Sequence, residues 1–307
     1  MSRRIEIVEV GPRDGLQNEA VALSAEQRLE FIAKLEAAGV RRVEAVSFVN
    51  PKRVPQMAGA EEIMAALPKA SGRSRIGLVL NLRGWERLKA TDCDEANVVV
   101  CASDSFGLRN QNATTAQQIA AMAEIAADQA ANGGPPLSLT ISVAFGCPFE
   151  GEVPIERVAQ IARQAAALNI PEIAIADTIG AADPWAVRAR VEVVRAAAPD
   201  ARLRLHFHDT RNTGLANAAA GVDAGVDVID ASCGGIGGCP FAPKATGNVA
   251  TEDLVYMLER GGFQTGLDLD RLIEAGRWIC DKLGRPATSA LSRAGRFPKP
   301  AVASNAA

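Results

Sequence analysis

Residues 5–18 read IEIVEVGPRDGLQN. Ile5–Val10 is a short β-rich run, closed by a Gly-Pro turn. The segment after this run separates two architectures. A doubly wound nucleotide-binding sheet would place a Gly-rich fingerprint after its first strand, and GPRDGLQN is not one. Seven more β-like runs repeat the pattern: Arg42–Phe48, Arg75–Leu80, Asn97–Ala102, Leu137–Phe145, Glu172–Asp177, Arg202–His208 and Asp227–Ser232. Several are mostly apolar, as in parallel strands covered on both faces. Between them lie segments of helical period. Ser24–Ala38 opens with Ser24, has Gln27 three residues on as a capping box, and stops at Gly39. Thr115–Ala131 stops at Asn132-Gly133-Gly134, and Pro154–Leu168 and Pro184–Ala197 each place Pro in a first helical turn. Eight strand-helix units predict an α/β protein, a (β/α)8 TIM barrel, whose usual length is about 250 residues. Thr251–Leu283 adds one or two C-terminal helices. We read residues 1–295 as one barrel domain and 296–307 as a flexible tail.

Composition narrows the function classes. The chain has 307 residues, 48% of them hydrophobic, and a net charge of −3. That is enough apolar material for a core, and it gives no electrostatic footprint for nucleic acid. No apolar stretch of about 18 residues predicts a membrane span, and MSRRIEIVEV lacks the apolar core of a signal peptide. Six cysteines (93, 101, 147, 233, 239 and 280) are scattered without C-x-x-C spacing, which fits a reducing cytoplasm rather than a disulfide framework. The chain's only two histidines are His206 and His208.

In such a barrel the chemistry sits at the carboxyl ends of the strands. Arg13, Asp14, Ser47, Asn81, Ser103, Asp104, Asp177, Thr178, His206, His208 and Asp209 all fall there. In LRLHFHDT the two imidazoles alternate to one side of the strand. With a carboxylate or amide they can bind one cation; the bland reading is a core His and a strand cap. Arg13 and Asp14 share a turn. The Asp suits a hard metal and the Arg fork suits a developing oxyanion; a local ion pair is the alternative. Glu44 lies in an otherwise apolar strand and needs a partner there, and Arg13 is the natural one. Asp177 carries the same argument. The loop from Cys233 to Val249 holds four glycines around Ile236, then Cys239. It can serve as a mobile cover, a phosphate cradle or a tight turn, with Cys239 in proton transfer or idle. Asn248 can return an amide oxygen to the metal.

VEVGPRDGLQNE, VEAVSFVNPKRVPQM, FGCPFEG, EIAIADTIG, HFHDT and GGIGGCPFAPKATGNVATEDLVYML occur in this order along nearly the full length. In these segments the chain resembles the hydroxymethylglutaryl-CoA lyase family. The Gly-rich Cys loop and its TEDLVYML sequel are the specific part; R-D-G-L-Q-N and H-x-H-D are shared with related barrel lyases and synthases. The resemblance implies a (β/α)8 barrel with a divalent cation, usually Mg2+ or Mn2+, that cleaves 3-hydroxy-3-methylglutaryl-CoA to acetyl-CoA and acetoacetate in leucine catabolism. It implies Asp14, His206, His208 and Asn248 as metal ligands, Arg13 at the enolate and Cys239 in proton transfer, with His206 assisting. Glu44, Gln17, Asp177 and Glu252 match positions that support the site. Asn110 is taken as a contact to the CoA portion, and a homo-oligomer is expected.

The chain departs from the family pattern at four places. Thr140 stands where a Tyr is usual, Ala174 where a Ser is usual, Arg211-Asn212 follow H-D-T, and Lys244 replaces a Gly. Retained lyase chemistry with altered acyl specificity is therefore expected, with Arg211 or Lys244 meeting an extra anionic group. The alternatives are a related lyase or aldolase acting on another hydroxy acid, and a non-catalytic barrel. The intact set Asp14, His206, His208 and Asn248 speaks against the latter.

Overall fold

The computed structural model describes residues 2–69, 72–238 and 247–297. Ten strands occur among them: β1 (Glu6–Glu9), β2 (Arg42–Ser47), β3 (Ser74–Val79), β4 (Glu95–Cys101), β5 (Leu137–Ser142), β6 (Gly146–Cys147), β7 (Gly151–Glu152), β8 (Glu172–Asp177), β9 (Arg202–Phe207) and β10 (Val228–Ala231). Eight of them close a parallel barrel in the order β1-β10-β9-β8-β5-β4-β3-β2. Each agrees with its expected β-run to within a few residues. The short antiparallel pair β6–β7 lies outside the barrel and was not expected. Strands pack outward against helices through one large apolar cluster.

Local signals set the helix starts. Ser24 and Gln27 form the expected capping box at Ala25–Ala37, and Thr114 and Gln117 form another at Thr115–Asn132. Each reciprocal pair satisfies two otherwise orphaned N–H groups. Pro184 occupies a first-turn position. Pro154 instead precedes Ile155–Ala167 as its N-cap, one residue earlier than expected. The C-terminal region forms two helices, Thr251–Arg260 and Leu269–Leu283, then a short turn of helix at Ala290–Ala294. The first of these is the helix that follows β10, so only the later ones are extra to the barrel. Among the described residues no helix is long and apolar enough to cross a membrane. Most of the expected tail, residues 298–307, lies outside the described residues.

The inside of the barrel is unusual. Barrel interiors of this kind are dominated by branched apolar side chains. Here Val8, Val10, Ile76 and Val228 form a small separate apolar cluster. Much of the rest is ionic: Arg42 pairs with Glu95 and Glu172, both at 2.7 Å, and Arg204 lies 3.2 Å from Glu172. This polar interior continues upward into the mouth of the barrel.

Candidate active site

The turn after β1 is a single π-helical turn, Gly11–Gly15. It carries Arg13 and Asp14 over the barrel mouth. Arg13 Nε donates to Glu44 Oε2 at 2.7 Å and Nη1 donates to Asp14 Oδ1 at 2.8 Å. The expected Arg13–Glu44 pair is therefore present. Glu44 is also held by Asn97, whose amide donates at 3.0 Å. Burial alone would lower the pKa of Arg13, but Glu44 and Asp14 more than offset it and hold the guanidinium charged. Burial would likewise raise the pKa of Asp14; Arg13 and the two imidazoles keep it well below the usual carboxylate range.

Asp14, His206 and His208 converge. One ligand atom from each lies within 4.8 Å of the others. Asp14 Oδ2 is 3.5 Å from His208 Nε2 and 3.9 Å from His206 Nε2. Strand alternation puts both imidazoles on the inner side of β9 and its extension. Asn248 joins them, its backbone bridged to His208 and its amide donating to Asp14 Oδ2 at 2.9 Å. The buried Asn248 Oδ1 has no hydrogen-bond partner among the described residues. A carboxylate, two imidazoles and an unpaired amide oxygen form a donor set that fits a divalent cation.

A cavity of about 1260 Å³ opens from this cluster. Gln17, Asn110 and Thr140 line it, as do Arg13, Asp14, His206 and His208. Other expected residues act around it. The Asp177 carboxylate accepts from the N–H groups of Ala181 and Ala182 at 2.8 and 2.9 Å; burial raises its pKa and these bonds partly counter that. Glu252 accepts from Gly234 N and from Ser292 Oγ, so it braces the Gly-rich loop from below. Within that loop Gly237 has φ +99°, and a Cβ there would lie 2.8 Å from Gly15 Cα. A glycine is required where this loop passes against the Arg13–Asp14 turn. Cys239 and Lys244 lie outside the described residues.

One expectation is corrected, and several residues at the strand ends have structural partners. Arg211 does not line the cavity. Its guanidinium donates to the carbonyls of Ile179 and Gly180 at 3.1 and 2.7 Å, and so fastens the turn after β8 instead of awaiting an anion. Asp209 caps a helix by accepting from Gly214 N at 2.7 Å, and is not in the Asp14–His206–His208 group. Asn81 and Ser103 are helix N-caps, accepting from Gly84 N and Phe106 N, although Asn81 also lines the cavity. Ala174 is fully buried in β8, in register with Thr140 and Arg204. The five described cysteines are free and buried.

Three features of the site had no role in the sequence reading. Val143, at the end of β5, has φ +50°, which is a strained conformation for a β-branched residue. Its N–H donates to Thr178 Oγ1 at 2.8 Å, beside Ser142 in the cavity wall. Lys52, Arg53 and Arg83 gather at the cavity rim; the contiguous PKR of residues 51–53 was the available signal. Asp230 lines the floor, and it was legible only as an acid inside the β-run Asp227–Ser232.

Comparison with known proteins gives the family. The HMGL-like family model matches residues 4–279. A hydroxymethylglutaryl-CoA lyase of Bacillus subtilis is 38% identical over 287 residues, 94% of this chain and 96% of its own. An (R)-citramalyl-CoA lyase of Chloroflexus aurantiacus is 42% identical over 301 residues, 95% of each chain. The structure of an HMG-CoA lyase from Acinetobacter baumannii, in complex with coenzyme A and 3-methylmalate, superposes with a TM-score of 0.92 at 37% identity, covering 97% of both chains. These relatives are named as lyases and are alike over almost the whole barrel, so the chain belongs to the HMGL-like family.

Proposed function

We propose that the chain is a divalent-cation-dependent carbon–carbon lyase. Its substrate in this reading is 3-hydroxy-3-methylglutaryl-CoA, cleaved to acetyl-CoA and acetoacetate. The observation that carries the reading is the convergence of Asp14, His206 and His208 beside Arg13 at the carboxyl end of the barrel. Asp14, His206, His208 and Asn248 would hold Mg2+ or Mn2+. A bound cation supplies Lewis acidity that favours loss of the substrate's tertiary hydroxyl proton. As the adjacent carbon–carbon bond breaks, its electron pair moves into the thioester carbonyl and an enolate forms. Arg13 meets that oxygen with a charged, planar donor. Glu44 and Asp14 fix the guanidinium, so it needs no reorganisation during the step. We assign protonation of the enolate carbon to Cys239 on the sequence motif alone. Gln17, Asp177 and Glu252 are assigned supporting roles, the last two through the loops they brace. In this reading the chain acts in leucine catabolism, in the cytoplasm and as a homo-oligomer.

The cavity rim favours a CoA thioester over a free hydroxy acid. Lys52, Arg53 and Arg83 are exposed and have no side-chain carboxylate partner among the described residues. CoA brings a pyrophosphate and a 3′-phosphate to such a surface, and charge-assisted bonds to phosphate are strong. Replacing all three by Glu is expected to raise KM for the acyl-CoA about tenfold or more, with kcat within a few-fold. A truncated thioester lacking the nucleotide should show no such change. An equal KM rise for both compounds would remove the phosphate contact.

A second acyl group has specific support. The citramalyl-CoA lyase relative is 42% identical, and Thr140, where the family usually has a Tyr, lines the cavity. Citramalyl-CoA is one methylene shorter and yields pyruvate with acetyl-CoA. The deciding assay uses cation-stripped protein, with and without Mg2+ or Mn2+, on both thioesters. Cation-dependent acetoacetate release supports the first reading and pyruvate the second. Cleavage of neither, by protein that still binds the cation, would overturn the proposed function.

A further inference from the structure

Among the described residues, only one of the two imidazoles has its remote nitrogen anchored. His206 Nδ1 lies 3.2 Å from Asp230 Oδ2. His208 Nδ1 is buried with no hydrogen-bond partner among the described residues. Asp230 is directly opposite His206 in the β9–β10 register and is 4% exposed. Its other oxygen lies 3.4 Å from Arg204 Nε, an ion pair without a hydrogen bond. Arg204, 2% exposed, reaches on to Glu172 at 3.2 Å, and Glu172 shares Arg42 with Glu95. A chain of buried ions therefore climbs the inner wall and ends beneath His206. It contains two guanidinium groups and three carboxylates, and Asp230 is the carboxylate that touches an imidazole.

Stability alone accounts poorly for this arrangement. A buried ion cluster often contributes no more than apolar side chains of the same volume. A carboxylate on the far nitrogen of a ligand imidazole has a specific use, because it fixes the tautomer and the ring orientation and raises ligand basicity. We propose that Asp230 is a positioning residue of the cation site. It holds His206 as the Nδ1–H tautomer, with the Nε2 lone pair turned toward Asp14, and Arg204 fixes the Asp230 carboxylate. The proposal rests on the cation site proposed above, and it does not depend on which acyl group is cleaved. His206 Nε2 already faces Asp14 Oδ2 at 3.9 Å. Without Asp230 a neutral imidazole is free to carry its proton on Nε2 and to rotate, and either change removes one ligand.

The test is Mn2+ titration of the cation-free protein by calorimetry, supported by the visible spectrum of the Co2+ form. Asp230→Ala is expected to weaken Mn2+ binding by about 10–100-fold and to alter the Co2+ bands. Asp230→Asn should lose less, because its amide oxygen can still accept the Nδ1–H. Arg204→Met should shift affinity in the same direction by a smaller factor. A solely structural role predicts something else: a lower melting temperature, with Mn2+ affinity of the folded protein unchanged. Affinity of Asp230→Ala within about twofold of wild type overturns the proposal. Should Asp230→Ala fail to fold, unchanged affinity in both Asp230→Asn and Arg204→Met overturns it equally. Absence of Mn2+ binding by the wild-type protein would overturn the cation site itself.

Discussion

Arg13→Met is expected to lower kcat by about 10³-fold while Mn2+ binding by the cation-free protein persists. Three of the five N–H groups of Arg13 are committed to Glu44 and Asp14 among the described residues. The remaining donors belong to a side chain that lines the cavity. Loss of a single donor from an oxyanion site costs about 10²–10³ in kcat. Here a full positive charge is lost with it, at a position held rigid on both sides. Arg13→Lys keeps charge but not the planar fork, and should fall between wild type and Met. A stability effect must be separated from the kinetic one. Removing Arg13 leaves Glu44, 2% exposed, without its cation, and breaking such a buried pair costs roughly 3–5 kcal/mol. The double variant Arg13→Met with Glu44→Gln should recover most of that loss in a melting experiment without recovering kcat. A kcat for Arg13→Met within tenfold of wild type would take Arg13 out of the chemistry.

The barrel was legible because each strand is short, apolar on its outer side and followed by a helix with a local start signal. The capping box Ser24–Gln27 and Pro184 lie in the few residues that they organise. The convergence of Asp14, His206 and His208 was legible for a different reason. The only two His of the chain are two apart on one strand, so alternation alone brings them together, and Asp14 needs only the β1 end to face them. Partnership between strands distant in sequence stayed hidden. LSLTIS, RLRLHFH and EANVVV each place polar side chains at alternate positions. That period predicts an inward polar face, but nothing local says that Ser138 holds Glu95 or that Arg204 faces Asp230. Pairing across the barrel depends on register and closure, which arise only when all eight strands are assembled. Arg211 failed in the opposite sense. Its position after H-D-T suggested contact with an anion, while its Nη1 donates to two carbonyls of the turn after β8 and the side chain does not line the cavity.

The second large effect concerns Glu9 at the end of β1, a residue to which the sequence reading gave no role. Its side chain is fully buried. Oε1 accepts from Gly11 N at 2.8 Å and from Cys233 N at 3.0 Å, and Oε2 accepts from Thr251 Oγ1 at 2.6 Å. One carboxyl thus clamps the Arg13–Asp14 turn to the start of the Gly-rich loop and to the helix after it. Burial pushes its pKa from 4.5 up to about 7, despite these three bonds, and nearby Glu252 adds a smaller push. The folded protein therefore binds the Glu9 proton more tightly than the unfolded chain does. The stability this contributes is fully present below about pH 4.5. It declines as pH rises toward 7, by about 3 kcal/mol over that window, and is absent above it. Glu9→Gln mimics the neutral acid: its amide oxygen can keep the two N–H bonds, and its NH2 can donate to the Thr251 hydroxyl. In urea unfolding it should match wild type near pH 4 and exceed it by up to about 3 kcal/mol at pH 8. Glu9→Ala should instead lose roughly 3–5 kcal/mol at pH 5, since two buried N–H groups and a hydroxyl lose their acceptor. A wild-type–Gln difference that stays constant from pH 5 to 8 would show that Glu9 does not titrate in this range. Because Gln preserves the clamp, the Gln variant should keep its Mn2+ affinity, whereas Ala, which frees the turn bearing Asp14 from the loop beside Asn248, should lose part of it.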